Sequence, residues 1–158
     1  MTTNAESQEL HPRLDYAAAS PKAMQAMVAL ETAVRSSGLE RPLIELVKLR
    51  ASQINGCAYC IDLHTREAHA AGESHRRLHG VMVWRETPFF TPRERAALAW
   101  TEAVTLVADT HVPDDVYEQV SKEFSETELV NLTLAVVAIN GWNRISISFR
   151  MTPPVEVK

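Results

Sequence analysis

Helix punctuation constrains this chain more than any other feature. Thr91-Pro92-Arg93-Glu94 and Ser125-Glu126-Thr127-Glu128 each place a hydroxyl three residues ahead of a glutamate, in front of an apolar run. That spacing lets hydroxyl and carboxylate satisfy two orphan N–H groups at a helix start. Ser20-Pro21 is a third start, with a capping hydroxyl and a proline that fits the first helical position. Met24, Met27, Val28, Leu30, Ala33 and Val34 follow at helical spacing, and Gly38 ends the run. Pro42 opens a second helix, with Leu43, Leu46, Val47, Arg50 and Ile54 at three- and four-residue steps, up to the turn signal Asn55-Gly56. Residues 57–71 predict a third helix that Gly72 stops. Ser74 starts a short one through about Val83, and Thr91 opens one to about Ala108. Pro113 to Phe124 and Ser125 to about Phe149 complete the set, although Ile145-Ser146-Ile147-Ser148 alternates as a strand would. The pattern predicts one all-α domain of six or seven helices over residues 1–158. A polar, irregular arm carrying Pro12 precedes it over residues 1–15.

The 158 residues suffice for a packed core without a disulfide or metal staple. Acidic side chains outnumber basic ones by 20 to 16, for a net charge of −4, which argues against nucleic acid as a partner. The longest apolar stretch, Leu134 to Ile139, falls far short of the ~20 residues a membrane span needs. The N-terminal MTTNAESQEL has no apolar core of a secretory signal, so a cytoplasmic location is expected.

In a reducing compartment two cysteines, Cys57 and Cys60, suit metal binding or dithiol chemistry better than cross-linking. Four of the six histidines (His64, His69, His75 and His79) follow them closely. On a helix, Cys57-x-x-Cys60-x-x-x-His64 lines up three side chains on one face. Near the first turn, unpaired N–H groups and the helix dipole favour thiolate, and a histidine one turn on can take the proton. Folding back across Asn55-Gly56 sets Glu45 opposite about residue 66, where a carboxylate would fix the His64 tautomer. Periodicity alone favours a solvated Glu45, because Lys48 and Arg50 share its helix. The spacing Cys57-x2-Cys60-x14-His75-x3-His79 also allows a zinc-stabilised binding module. The intervening residues are helix formers without the β-hairpin such a finger requires. His69, His75 and His79, among Glu73, Arg76 and Arg77, read as surface or interface side chains. Trp84, Trp100 and Trp142 read as core or interface anchors.

The string from Gln53 to His64, QINGCAYCIDLH, closely resembles the AhpD-like alkylhydroperoxidase branch of the carboxymuconolactone decarboxylase superfamily. Glu45, twelve residues before Cys57, matches the glutamate of that signature, and Ala138 to Arg144 resembles the family's final helix. The resemblance implies an all-helical fold assembling as trimers or hexamers, and a thiol peroxidase that needs no metal or organic cofactor. It implies Cys60 as the peroxidatic cysteine, Cys57 as the resolving cysteine that closes a disulfide with it, and Glu45 and His64 as a proton relay. Tyr59 stands where the best-known members carry a histidine; a phenol of pKa ~10 is a poor base at neutral pH but can donate a hydrogen bond. A hydroperoxide substrate and a dithiol reductant are the implied partners. A lyase or isomerase on the same fold is the remaining alternative, although decarboxylase members generally lack the cysteine pair.

Overall fold

The computed structural model describes residues 10–155. Among them the chain forms nine α-helices, one 3₁₀ segment and no strand. The helices are α1 (Tyr16–Ala19), α2 (Pro21–Arg35), α3 (Arg41–Asn55), α4 (Ala58–Ala70), α5 (His75–Gly80), α6 (Pro92–Thr105), α7 (Val107–Thr110), α8 (Asp114–Glu123) and α9 (Glu126–Ser148). The 3₁₀ segment, Val81–Glu86, follows α5. Seven of the nine are the helices the punctuation predicts; α1 and α7 are additional single turns of four residues.

Both capping boxes form. Thr91 Oγ1 accepts from the Glu94 N–H at 3.2 Å while Glu94 Oε2 accepts from the Thr91 N–H at 2.8 Å. Ser125 and Glu128 repeat the exchange at 3.3 and 2.8 Å. Ser20 differs from expectation. It precedes α2, but its hydroxyl makes no cap bond, and its N–H donates to Tyr16 because α1 ends there. The helix expected through Val83 stops at Gly80 and tightens into the 3₁₀ segment, where Val83 leaves helical geometry at φ −124°. The helix expected to Ala108 breaks at Leu106. The alternating stretch Ile145–Ser148 stays helical as the end of α9. Of the expected arm, residues 1–9 lie outside the described residues; the next six are non-helical, and Arg13 fastens them to α9 through Phe149 O at 2.9 Å and Ser148 O at 3.1 Å.

Helix α3 runs through the middle of the fold, against α4, α6 and α9. Every residue from Leu43 to Leu49 is buried, as are Ala51 and Ser52. Leu43, Ile44 and Val47 pack with Trp100 of α6, Val120 of α8 and Leu132 and Val136 of α9. Leu46 and Leu49 face Ala68 of α4, Leu78 of α5, Trp84 and Leu98. A helix buried on all sides is normally apolar all round, yet α3 carries Glu45 and Lys48, each 1% exposed. Its polar residues are satisfied by other helices. Lys48 pairs with Glu31 of α2, and Arg50 donates to Glu102 of α6 at 2.9 Å. Ser52 accepts from Asn143 of α9 at 3.0 Å, and Asn55 donates to Asn140 and Asn143 at 3.0 and 2.8 Å. No helix among the described residues is long and apolar enough to cross a membrane.

Glu102 gathers three donors: Arg85, Trp84 Nε1 at 2.9 Å and Arg50 Nε at 2.9 Å. Burial pushes its carboxyl up, but the bonds from Arg85, Trp84 and Arg50 outweigh that and hold it below the ordinary 4.5. A carboxyl depressed in the folded state stabilises fully above its unfolded pKa, and the contribution is lost as pH falls through the folded value. Thermal midpoints are therefore expected to decline below about pH 4.5. Glu102→Ala is expected to cost about 2–3 kcal/mol at pH 7 and to flatten that acid decline, as measured by denaturant and thermal melts across pH.

Candidate active site

The turn between α3 and α4 is built to deliver a cysteine. Gly56 takes the left-handed conformation (φ 70°), which suits a residue without Cβ. Its N–H donates to Gln53 O at 3.3 Å, and the Cys57 N–H donates to Ser52 O at 3.0 Å. This 6→1 and 5→2 pair is a Schellman closure. It hands the chain directly to Cys57, which is the N-cap of α4 and whose Sγ accepts from the Cys60 N–H at 3.3 Å. The helix expected over 57–71 thus begins one residue later, with the sulfur as its cap. Cys57 and Cys60 are joined as a disulfide, their Cα atoms 5.3 Å apart. They are 1% and 3% exposed and pack with Ala51 of α3 and Ile139 of α9.

Four of the predicted residues come together. His64 lies one turn beyond Cys60, is buried, and its Nδ1 sits 2.8 Å from Glu45 Oε2. A carboxylate only accepts, so Nδ1 carries the hydrogen and Nε2 is left for proton exchange. Glu45 is therefore not the solvated side chain that periodicity favours. The flanking charges Lys48 and Arg50 are themselves turned to partners on α2 and α6, which leaves no solvent face on this stretch of α3. Tyr59, the fifth predicted residue, packs beside the disulfide.

A cavity of about 230 Å³ opens onto the site. Cys60, His64, Tyr59 and Leu63 of α4 form one wall; Tyr16, Glu31 and Arg35 come from α1 and α2, and Trp142 and Ser146 from α9. Cys60 lines the cavity and Cys57 does not. The Ser146 hydroxyl lies 3.8 Å from Cys60 Sγ, placed to donate to it. Tyr16 packs against Phe149 in a tilted arrangement, with ring centroids 5.8 Å apart. Burial first, then the neighbouring Tyr59 and Asp15, raises its phenol above the ordinary 10.0. Tyr16, Glu31, Arg35, Trp142 and Ser146 were not identified from sequence. Glu31 and Arg35 show as an i,i+4 pair and Ser146 falls in the strand-like stretch, but nothing local ties them to the cysteines.

The histidines of the zinc spacing stand elsewhere. His69 and His75 stack with centroids 4.2 Å apart, His79 continues the stack at 6.4 Å, and none lines the cavity. Helix α4 carries the chain about 15 Å beyond Cys60, and about 20 Å beyond Cys57, before His75 is reached. Among the described residues no group of three or more His, Cys, Asp or Glu side chains could hold a metal ion. Cys57, Cys60, His75 and His79 therefore do not form the set that their spacing allows.

Known proteins share both sequence and fold with this chain. The uncharacterized protein YdfG of Bacillus subtilis (strain 168) is 40% identical over 136 residues, 86% of this chain and 92% of that protein. The crystal structure of ATU0492 from Agrobacterium tumefaciens, a protein of unknown function proposed to be an antioxidant defence protein, AhpD, superposes with a TM-score of 0.90. It has 50% identity and covers 92% of this chain and all of that one. The debrominase Bmp8 shares the fold at a TM-score of 0.79 and 16% identity, over 87% of this chain and 74% of that one. The model of the carboxymuconolactone decarboxylase family matches residues 21–103, from α2 through most of α6 and across the whole dithiol turn. The chain belongs to the carboxymuconolactone decarboxylase family.

Proposed function

We propose that the chain is a thiol peroxidase of the alkylhydroperoxidase type, cycling Cys57 and Cys60 between dithiol and disulfide. The observation that carries this is the meeting, in one cavity wall, of Cys60 and a histidine locked by a buried carboxylate. In the reduced protein, the first turn of α4 and the Ser146 hydroxyl favour a Cys60 thiolate. The thiolate attacks the terminal oxygen of ROOH. An S–O bond forms and the O–O bond breaks, leaving a Cys60 sulfenic acid and an alkoxide that takes a proton relayed through His64 to leave as ROH. The Cys57 thiol then gives up its proton and attacks the sulfenic sulfur, and water departs as the disulfide closes. The balance is ROOH plus two thiols to ROH, water and one disulfide. An external dithiol reopens the bridge. The position of Cys60 in the cavity wall, with Cys57 behind it, supports the division into peroxidatic and resolving roles. Tyr59 is assigned a hydrogen-bonding role at the rim.

Reduced protein treated with one equivalent of hydroperoxide should lose the mass of two hydrogens as the bridge forms, and Cys60→Ser should abolish peroxide turnover. Cys57→Ser should leave a trappable sulfenic acid. Turnover that survives Cys60→Ser or thiol blocking would move the assignment to a lyase or isomerase on this fold. Glu45→Gln removes the charge that fixes His64 and should slow disulfide formation by about 10²-fold, with a displaced pH profile. An unchanged profile would take Glu45 out of the relay.

We further propose that the protein is a homo-oligomer. The outer face of α9 exposes Val130, Leu134 and Val137, and Leu106 and Val107 stand exposed just after α6. Val137 and Val107 line one shallow depression, and Val130 and Leu134 line a second, larger groove with Trp100 and Tyr117. Exposed apolar side chains grouped in this way support an association face, and the family resemblance points to trimers or hexamers. Light scattering should give a multiple of the chain mass at micromolar concentration; a stable monomer would overturn the proposal.

A further inference from the structure

The disulfide meets its cavity through one sulfur. Cys60 lines the cavity and Cys57 does not, so a nucleophile that enters attacks Cys60 and makes Cys57 the leaving group. Cys57 is suited to leave. Its sulfur stands at the start of α4 and accepts the Cys60 N–H at 3.3 Å. A stabilised leaving thiolate speeds thiol–disulfide exchange. Both cysteines are almost fully buried. The cavity, about 230 Å³, is below the ~300–1,000 Å³ of pockets for drug-sized ligands. A small thiol fits such a place, whereas the dithiol turn of a folded protein does not.

The facing wall says what else that thiol carries. Arg35 of α2 lines the cavity with its side chain 49% exposed. Its Nε donates to Glu31 Oε1 at 3.0 Å, and its two Nη groups meet no acceptor among the described residues. The fully buried Lys48 bonds the same Glu31 oxygen. One carboxylate thus answers two cations. Lys48 has the stronger claim, because a buried charge without its partner is far more costly than a half-exposed one. After the Glu31 bond, Glu45 and Glu67 act on Arg35 only as charges, and both are already paired, with His64 and Arg41. The fork of Arg35 is left open at the cavity, and such a fork suits a carboxylate.

Resting on the dithiol cycle given above, we propose that its reductant is a small thiol bearing a carboxylate, which Arg35 binds while the sulfur attacks Cys60. His64 takes the proton of the incoming thiol at Nε2. The new S–S bond joins that sulfur to Cys60, the Cys57–Cys60 bond breaks, and the Cys57 thiolate accepts the proton. A second thiol then attacks the sulfur of the first, freeing Cys60. The balance is two small thiols and one protein disulfide to one small disulfide and two cysteine thiols.

The test needs no peroxide. Oxidised protein is mixed anaerobically with 3-mercaptopropionate or with its uncharged match 3-mercaptopropanamide. Bridge opening is followed by acid quench and intact mass, in wild type and in Arg35→Gln. The ratio of the two rate constants is the charge preference, and comparing it between proteins cancels the intrinsic reactivity of each thiol. Arg35→Gln should lower that preference by about five- to tenfold, the effect of a charged hydrogen bond discounted for partial exposure, with the amide rate changed far less. A preference unchanged in Arg35→Gln would overturn the carboxylate seat. Reduced thioredoxin that opens the wild-type bridge faster than 3-mercaptopropionate at equal concentration would overturn the small-reductant class. Hydroperoxide that then fails to re-form the bridge would overturn the peroxidase assignment alone, because the thiol preference is measured without it.

Discussion

The structure depends on burying one charged helix. Helix α3 has no solvent face from Leu43 to Leu49, yet Glu45 and Lys48 lie within that span. An unpaired charge in such a place is far too costly to tolerate, so each must meet an opposite group with good geometry. Glu45 draws in His64 from α4, Lys48 draws in Glu31 from α2, and Arg50 at the edge draws in Glu102 from α6. The amides of α9 close the end through Ser52 and Asn55. Each contact fixes the rotation of a different neighbour about α3. Apolar packing alone tolerates small slips between helices, whereas a paired buried charge does not. The same pairings bring the histidine to the dithiol and the glutamate to the facing cavity wall. Structural specificity and site geometry thus have one origin.

The parts of this arrangement that were legible in sequence are those governed by near neighbours. Helix starts were, because a capping box is a four-residue contract between hydroxyl, carboxylate and two amides. The row Cys57, Cys60, His64 was, because helical spacing alone sets it. Glu45 was half legible. Reflection through the Asn55-Gly56 turn brings it near His64, while the run of charges at Glu45, Lys48 and Arg50 suggests a wet face. That inference fails because the groups that bury α3 come from α2, α4, α6 and α9, and periodicity within α3 carries no information about them. Ser146, Trp142 and Tyr16 were illegible for the same reason. They reach the cavity only once α9 lies along α3 and Arg13 ties the N-terminal segment to the end of α9. Ile145–Ser148 was misleading locally. Its alternation resembles a strand, and the helix persists there because Ser146 is buried in it, next to Cys60.

The fold alone leaves the reaction open. A debrominase shares it at low identity, as expected where one scaffold hosts several chemistries. What distinguishes this chain is which side chains the scaffold turns into the cavity. Three helices (α2, α4 and α9) and the single turn α1 each contribute, so the site is a property of their junction and not of the signature string on α4 alone.

The Cys57 sulfur has two employments. It is half of the disulfide and also the atom that caps α4, accepting the Cys60 amide. Once Cys57 has given up its proton, its thiolate is a stronger acceptor than a disulfide sulfur and complements the positive end of the helix dipole. In the proposed cycle helix α4 is therefore best capped when Cys57 is deprotonated, and less well capped once the bridge closes. Whatever stabilises the reduced form of a couple raises its potential, so the same geometry would make the proposed disulfide easier to reopen. Helix capping here is a redox parameter as well as a folding one.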